Sequence, residues 1–344
     1  KVRECRTIHT AELNEIFFKD LDLRNPDYYL EIDTSSLGTV IGQTISKAEV
    51  ILRKLNPDAL LVLGDTNSSM AAIIAKRMHI PIFHMEAGNR SYDMNVPEET
   101  NRKIVDHIAD FNLVYTEHAR RHLLSEGLPH RRIYLTGSPM KEVLNDNLKR
   151  INQSEILHKL NLNKKSYFIV SVHRQENVDN KENLKKILNI LNNISIKYKF
   201  PVIVSTHPRT KKQLIGLDVK IDSSIKFLNP FSFTDYVYLQ MNALCAVSDS
   251  GTISEESSIL SFPAISLRES MERPEAQDAG QIILSGLEVN NVINSIDYTI
   301  NSFESDRAKH NIPSEYQISN TSERVLKLIM GNSSLSNKWW GINK

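Results

Sequence analysis

The sequence predicts an α/β protein made of two Rossmann-like, doubly wound domains, each with a parallel sheet. Three observations predict it. Short apolar runs alternate with helical stretches, the runs are continuously apolar, and 344 residues exceed what one hydrophobic core usually serves. Continuous apolar strands spaced by helices are typical of a sheet that is covered on both faces. We expect the ligand site in a cleft between the two domains.

The first domain is predicted to span residues 1–142. DALLVLG gives a strand at residues 59–63, and IPIFHM, FNLVYT and RIYLTG give three more, with helices between them. Pro97 is expected at the first position of a helix that has acids in its first turn. The opening residues form no convincing strand, so either the first βα unit of this domain is missing or the sequence represents it only in part.

The second domain is predicted to span residues 143–313, and a helix within residues 314–344 is expected to complete the first domain. The polar stretch at residues 142–165 marks the crossover between them. Five strand-to-loop junctions follow this stretch: YFIVSVHRQEN, FPVIVSTHPRT, SIKFLNPFS, ALCAVSDSGT and FPAISLRES. The alternation of strands and helices therefore resumes after the crossover.

The composition excludes several classes of protein. A formal net charge of +1 gives no overall field that favours nucleic acid or anionic lipid. Cys5 and Cys245 are the two cysteines, too few for a disulfide framework, and they favour a reducing compartment. No apolar run reaches the roughly 20 residues of a membrane span, and the first residues do not resemble a signal peptide. We expect a cytoplasmic protein without nucleic-acid or membrane partners.

Polar side chains follow the predicted strands where each strand ends. They are Asp65, Glu86, His173, His207 and the pair Asp249-Ser250. Each alone could be a cap or a turn residue. Ligands of open parallel sheets bind beyond the carboxyl ends of the strands, so five such junctions together favour a binding site.

The stretch SDSGTISEES, residues 248–257, predicts a diphosphate site. A turn of small residues that opens a helix offers free N–H groups and a positive dipole end, and a carboxylate inside the helix can accept from a ribose diol. Thr252 and Glu255 have the spacing of a capping box, so a well-capped helix with a solvated acidic face is the alternative. No G-x-G-x-x-G or Walker motif occurs, which argues against NAD.

Two further stretches, VHRQENVDN and THPRTKKQL, place a histidine and an arginine directly after a strand. Such cations suit an anionic leaving group. Neither His173 nor His207 has a metal-ligand companion three or four residues away, so we expect no metal.

Several motifs together resemble the non-hydrolysing UDP-N-acetylglucosamine 2-epimerase family. They are LGDTNS, HMEAGNR, PEETNRK, VHRQEN, SDSGTISEE and ERPEA, in the family's order across residues 59–280. FHMEAGNR, NRKIVDHIAD, VHRQENVDN and VSTHPRT resemble a branch that converts UDP-2-acetamido-2,6-dideoxy-L-talose to UDP-N-acetyl-L-fucosamine for capsule or O-antigen synthesis. The resemblance implies a glycosyltransferase-B-like fold, UDP held mainly by the C-terminal domain, no cofactor and a homodimer.

The resemblance also implies roles for particular residues. It implies catalytic roles for Asp65, Glu86, Glu98 and His173. Contacts to the UDP-sugar are expected from Arg90, Arg174, His207, Arg209, Tyr236, Ser250, Gly251, Thr252, Glu256 and Arg273. Two features depart from the family: its N-terminal GTRPE turn is missing, and Thr252 stands where the family has the second glycine of an SGG turn.

The implied mechanism is elimination of UDP to a glycal, followed by re-addition after protonation of C2 from the opposite face. Burial near other acids should raise at least one carboxylate pKa toward neutrality. Asp93 and Glu99 are expected to be solvated or paired with Arg102, so Glu99→Gln should change nothing. The alternatives are a UDP-GlcNAc/UDP-ManNAc epimerase, a hydrolysing epimerase, a glycosyltransferase on the same scaffold and a UDP-sugar sensor without catalysis.

Overall fold

A computed structural model describes residues 3–6, 18, 20–94, 96–214, 219–271, 273–305 and 312–342. The chain divides into two compact units. Unit 1 comprises Lys1–Glu142 and Ile318–Lys344, and unit 2 comprises Val143–Gln317. Each unit contains a parallel sheet with apolar clusters on both faces, so the predicted α/β fold class is confirmed.

The strands are short, and the sheets join them in parallel throughout the described ranges. In chain order they are β1 Cys5–Arg6, β2 Tyr28–Tyr29, β3 Leu60–Leu63, β4 Ile82–Met85, β5 Phe111–Val114, β6 Ile133–Leu135, β7 Phe168–Ser171, β8 Val202–Ser205, β9 Ile225–Leu228, β10 Cys245–Ser248, β11 Ala264–Ser266 and β12 Ile283–Leu284.

The helices connect these strands. In chain order they are α1 Leu37–Leu55, α2 Ala71–Arg77, α3 Pro97–Ile108, α4 Glu117–Ser125, α5 Met140–Asn152, α6 Ile156–Leu160, α7 Gln175–Val178, α8 Lys181–Tyr198, α9 Pro208–Leu214, α10 Phe233–Asn242, α11 Ile253–Leu260, α12 Glu275–Asp278, α13 Val289–Glu304 and α14 Thr321–Trp339. Pro97 does begin α3, with Glu98 and Glu99 in its first turn. Among these helices, none has the length and apolar character that a membrane span requires.

Unit 1 is organised around a sheet with the strand order β3-β4-β5-β6. Successive side chains of a strand point to opposite faces, so Ile82 of β4 packs in the cluster beside α2 and α3, whereas Phe83 packs in the cluster that contains Val325 of α14. Both faces are apolar, which explains the continuous apolar runs. The opening residues were expected to form no strand; instead β1 pairs with β2 over two residues.

Two indole contacts anchor the end of α14 to unit 1. Nε1 of Trp340 donates to Oδ1 of Asp110 at 2.5 Å, and the guanidinium of Arg132 lies 3.8 Å from the centre of the Trp340 ring. The indole of Trp340 therefore packs on unit 1.

Unit 2 has the strand order β9-β8-β7-β10-β11-β12. Numbered within the unit, this is 3-2-1-4-5-6, so the order reverses between β7 and β10. Ligands of doubly wound sheets bind beyond the carboxyl ends of the strands at such a switch point. Ser171 and Ser248, the last residues of β7 and β10, are partners in the register, which brings the polar residues after them together.

Candidate active site

The first part of the candidate site lies at the ends of β3 and β4 in unit 1. Gly64 and Glu86 follow these strands, and both have a positive φ, +72° and +65°. A positive φ is costly for glutamate, and such backbone strain is concentrated at functional sites. A Cβ added to Gly64 would lie 3.3 Å from Oε2 of Glu86, so the Glu86 carboxylate lies against the backbone that precedes Asp65. The structure therefore brings Asp65 and Glu86 together, both half-buried.

Helix α3 is bound to the turn that carries Asp65. Nε of Arg102 donates to Oδ2 of Asp65 at 2.8 Å, and Nη2 of Arg102 donates to the same oxygen. Nδ2 of Asn101 donates to the backbone carbonyl of Asp65 at 3.0 Å. Glu98 is half-buried in the first turn of this helix. The bonds from Arg102 and Asn101 thus fix the helix that carries Glu98 to the turn that carries Asp65.

Glu99 is buried and belongs to the same assembly. Its Oε2 accepts from Nη1 of Arg102 at 2.8 Å and from both the backbone N–H and the hydroxyl of Ser91 at 3.1 Å. The pairing of Glu99 with Arg102 is confirmed. The solvated alternative is wrong, because the Glu99 side chain is 0% exposed.

A buried network lies behind the turn that carries Glu86. The carboxylate of Asp106 accepts from Nδ1 of His84 at 2.9 Å, from the N–H of Gly88 at 3.2 Å and from Nη1 of Arg90 at 2.7 Å. The other ring nitrogen of His84 lies 3.0 Å from the carbonyl oxygen of Gly64. His84 therefore links the carboxylate of Asp106 to Gly64 at the end of β3. Asp106 in turn binds the backbone of Gly88, two residues after Glu86.

Arg90 joins this network to a second carboxylate, that of Glu126. Its Nε and Nη2 donate to the two carboxylate oxygens of Glu126 at 2.7 Å, and these bonds lower the pKa of Glu126 to about 2. The Arg90 side chain is 0% exposed. This placement does not support the predicted contact of Arg90 with a UDP-sugar, because its guanidinium is buried against two carboxylates. Arg90 acts by holding the turn after Glu86.

In unit 2, Asp249 organises the switch point between β7 and β10. Its buried carboxylate accepts from the N–H groups of His173 and Arg174 at 3.1 Å and from Nδ2 of Asn177 at 3.0 Å. Nδ1 of His173 lies 3.3 Å from Oδ1 of Asp249. The His173 side chain is 47% exposed, so Asp249 orients an imidazole that ligands can reach. The sequence placed Asp249 among the polar residues at the strand ends but gave it no catalytic or UDP-sugar-binding role.

In the turn after β10, the Thr252 hydroxyl bonds to Glu256. Thr252 is the N-cap residue of α11, but its side chain makes no capping bond. Its Oγ1 donates to Oε1 of Glu256 at 2.7 Å, and Nε2 of Gln240 donates to Oε2 at 2.6 Å. The alternative of a capping box is wrong, because Thr252 makes no capping bond and Glu255 pairs with Nη1 of Arg273. Burial raises the pKa of Glu256.

The loop that contains Arg273 continues into a second buried acid. Oε1 of Glu275 accepts from the hydroxyl of Tyr316 at 2.6 Å, and burial raises the pKa of Glu275. The pair of Arg273 with Glu255 and that of Tyr316 with Glu275 fix this loop beside α11.

The remaining predicted residues lie at the same end of the unit 2 sheet or on its helices. His207 is half-buried after β8, and Tyr236 is half-buried on α10, where burial raises its pKa. Ser250 and Gly251 form the turn after β10. The side chain of Arg209, on α9, lies outside the described part. Within the described ranges, no three His, Cys, Asp or Glu side chains are grouped so as to hold a metal ion.

The chain is similar to known proteins over most of its length. The family model described as UDP-N-acetylglucosamine 2-epimerase matches residues 4–330. The UDP-N-acetylglucosamine 2-epimerase of Methanococcus maripaludis is 38% identical over 320 residues, 88% of this chain and 87% of that protein. The solved structure of UDP-N-acetylglucosamine 2-epimerase from Rickettsia bellii has 45% identity and a TM-score of 0.91, over 98% of this chain and 91% of that one. Methanocaldococcus jannaschii UDP-GlcNAc 2-epimerase, solved in complex with UDP-GlcNAc and UDP, has 34% identity and a TM-score of 0.85, over 94% and 90%.

Proposed function

Since this chain belongs to the UDP-N-acetylglucosamine 2-epimerase family, we propose that it inverts C2 of a UDP-2-acetamido sugar by eliminating and re-adding UDP. The observation that carries the proposal is the pair of half-buried carboxylates, Asp65 and Glu86, at the ends of neighbouring parallel strands. Inversion at C2 needs one group that removes a proton and one that returns it to the opposite face. Asp65, Glu86 and Glu98 are the groups that we propose for this work.

The electrons of the C2–H bond form the C1–C2 double bond while the C1–O bond breaks and UDP departs with its electron pair. Return of UDP to C1 and of a proton to the other face of C2 completes the inversion. Each step is redox-neutral, so we propose that no nicotinamide or other redox cofactor takes part. Arg102 supports this chemistry by fixing the Asp65 carboxylate on the turn after β3.

We assign the nucleotide to the switch point of unit 2. The half-exposed imidazole of His173, oriented by Asp249, suits the negative charge that develops on the departing diphosphate. We propose Arg273 for the same charge on the strength of the resemblance, because in the structure its guanidinium pairs with Glu255. Ser250 and Gly251 lie at the start of α11, where N–H groups favour an anion. Glu256, inside that helix, suits the ribose hydroxyls.

The proposed reaction is tested by proton NMR in deuterated buffer with a candidate UDP-sugar and no acceptor. We expect deuterium to enter C2 while two C2 epimers approach a constant ratio. Absence of deuterium at C2 with every candidate UDP-sugar would refute the proposal. Transfer of sugar only when an acceptor is added would indicate a glycosyltransferase, and release of free sugar with UDP would indicate a hydrolysing epimerase.

Three variants test the assignment of the acids. Glu86→Gln and Glu98→Gln should each abolish C2 exchange, because an amide does not replace a carboxylate in proton transfer. Both should keep their affinity for UDP, which we assign to unit 2. The matched control is Glu323→Gln, because Glu323 is an exposed glutamate on α14 that pairs with Lys327. Binding of UDP without C2 exchange in the wild-type protein would instead indicate a sensor.

For the sugar, we propose UDP-2-acetamido-2,6-dideoxy-L-talose and UDP-N-acetyl-L-fucosamine, in capsule or O-antigen synthesis. The support is the resemblance of FHMEAGNR and VHRQENVDN to that branch of the family. The pair UDP-GlcNAc and UDP-ManNAc is the alternative, and the names of the relatives favour it. The exchange assay with each sugar separates the two, because the proposed pair must react faster. A homodimer, which the resemblance implies, is testable by light scattering.

A further inference from the structure

A continuous chain of hydrogen bonds connects the turn after β10 to α10. The hydroxyl oxygens of Ser250 and Thr252 lie 3.0 Å apart, Thr252 Oγ1 lies 2.7 Å from Glu256 Oε1, and Glu256 Oε2 accepts from Gln240 Nε2 at 2.6 Å. Glu256 is 9% exposed and Gln240 is 1% exposed. Glu256 and Gln240 are therefore largely excluded from water, whereas Ser250 and Thr252 are half-buried.

The chemistry of the groups fixes the direction of these bonds. An ionised carboxylate only accepts, so the Thr252 hydroxyl donates to Glu256 and the amide of Gln240 donates from its –NH₂. The Thr252 hydroxyl has one proton, so the hydroxyl of Ser250 must donate to Thr252. The Ser250 oxygen in turn accepts from the N–H of Thr252 at 3.3 Å. The two hydroxyls of the turn are thereby directed toward Glu256.

We propose that Thr252 is a positioning residue that holds the Glu256 carboxylate in the orientation required to bind the ribose hydroxyls of a UDP-sugar. This inference rests on the proposed function, because it takes UDP as the ligand of unit 2. Each carboxylate oxygen of Glu256 already has one protein donor, and the lone pairs that remain suit the two hydroxyls of a ribose diol.

The burial of Glu256 makes the Thr252 hydroxyl important. A buried carboxylate that loses a donor is costly, and it responds by taking up a proton or by turning toward another donor. The groups that face Glu256 include a second acid, Glu255, and the Arg273 that pairs with it. Glu255 repels the Glu256 carboxylate and Arg273 attracts it, and without the Thr252 hydroxyl the carboxylate keeps only the amide of Gln240 of these two donors.

The hydroxyl of Thr252 is available for this role because it is not used to cap α11. Thr252 has φ −84° and ψ −12°, which valine and serine also adopt. Thr252→Val removes the hydroxyl at nearly constant shape, and Thr252→Ser keeps the hydroxyl. These two variants separate the role of the hydroxyl from the role of the side-chain volume.

The test measures the dissociation constants of UDP, 2′-deoxy-UDP and 3′-deoxy-UDP by calorimetry for wild type, Thr252→Val and Thr252→Ser. We expect wild type to prefer UDP over at least one deoxy analogue by about tenfold or more, the scale of a hydrogen bond to a charged group. Thr252→Val should reduce this preference to less than about threefold, and Thr252→Ser should keep it. Thermal unfolding checks that each variant is folded.

A double-mutant cycle with Glu256→Gln separates positioning from a general loss of structure. If Thr252 acts through Glu256, adding Thr252→Val to Glu256→Gln should cause no further loss of ribose preference. A Thr252→Val protein that keeps the wild-type preference, or effects of the two substitutions that add, would overturn the inference. A wild-type protein that binds UDP and both deoxy analogues equally would also overturn the inference, but the proposed reaction would stand. Failure of wild type to bind UDP at all would instead overturn the proposed function.

Discussion

Gly88→Ala should show how tightly the turn after β4 is constrained. Gly88 has φ +79°, a conformation that L side chains rarely adopt. A Cβ at this position would lie 2.5 Å from the carbonyl oxygen of Ala119 and 2.9 Å from Cγ of Leu123, both in α4. The N–H of Gly88 also donates to both oxygens of Asp106. The turn that positions Glu86 therefore has no room for a methyl group at residue 88.

The expected cost has two parts. An alanine in the left-handed region costs about 1–2 kcal/mol, and overlap with a packed backbone atom costs about 1–3 kcal/mol more. The two together predict a loss of about 2–5 kcal/mol. For a unit of this size, at about 2–4 °C per kcal/mol, the midpoint of thermal unfolding should fall by roughly 4–20 °C.

The assay compares thermal unfolding, C2 exchange and UDP affinity for Gly88→Ala and for a matched control. Gly42→Ala is the control, because Gly42 lies inside α1 and a Cβ there meets nothing within 4 Å. The control should be more stable than wild type by about 0.5–1 kcal/mol, since alanine favours a helix. Gly88→Ala should lose C2 exchange through displacement of Glu86, while its affinity for UDP changes little.

The reasoning is refuted if Gly88→Ala unfolds within 2 °C (about 1 kcal/mol) of wild type. It is equally refuted if the variant is destabilised but keeps full C2 exchange when folded. The first outcome would show that α4 yields to the added methyl group, and the second that the position of Glu86 is independent of Gly88.

Three further predictions concern buried carboxylates and their partners. Glu99→Gln should cost about 1–3 kcal/mol and slow C2 exchange, because it neutralises a buried partner of Arg102; unchanged unfolding and exchange would contradict this. Burial raises the pKa of Glu256 above the ordinary value of 4.5. Between pH 4.5 and the raised pKa, the folded protein keeps a proton on Glu256 that the unfolded chain has released. The stability of the wild type therefore falls as the pH rises through this range. Glu256→Gln does not titrate and should gain stability relative to wild type over that rise; parallel curves of unfolding temperature against pH would contradict the sign. Trp340→Phe should cost about 1–2 kcal/mol through the lost bond to Asp110, without a change in UDP affinity, as unfolding and calorimetry would show.

Local sequence patterns predicted much of the framework. Apolar runs located the principal strands of both sheets, and Pro97 located the start of α3. The pairing of Glu99 with Arg102 was also predictable, because residues three apart lie on the same face of a helix. These features depend on neighbours within one helical turn or along one strand, and the sequence displays such neighbours directly.

The partners of the candidate site residues were decided by the tertiary structure. Arg90 pairs with Glu126, 36 residues away, and this buries a guanidinium that we expected to meet the substrate. Glu255 pairs with Arg273, and the hydroxyl of Thr252 bonds to Glu256. No capping box therefore forms between Thr252 and Glu255, although their spacing allows one.

The sequence by itself determined the elements of the fold and the polar residues at the strand ends, because hydrophobic period and helix starts are local properties of the chain. The tertiary structure decided which carboxylates are buried and which cation each one meets. The physical reason is that ion pairs and burial depend on the order of the strands in each sheet and on the helices packed against it. That order brings together residues such as His173 and Asp249, which are far apart in the sequence.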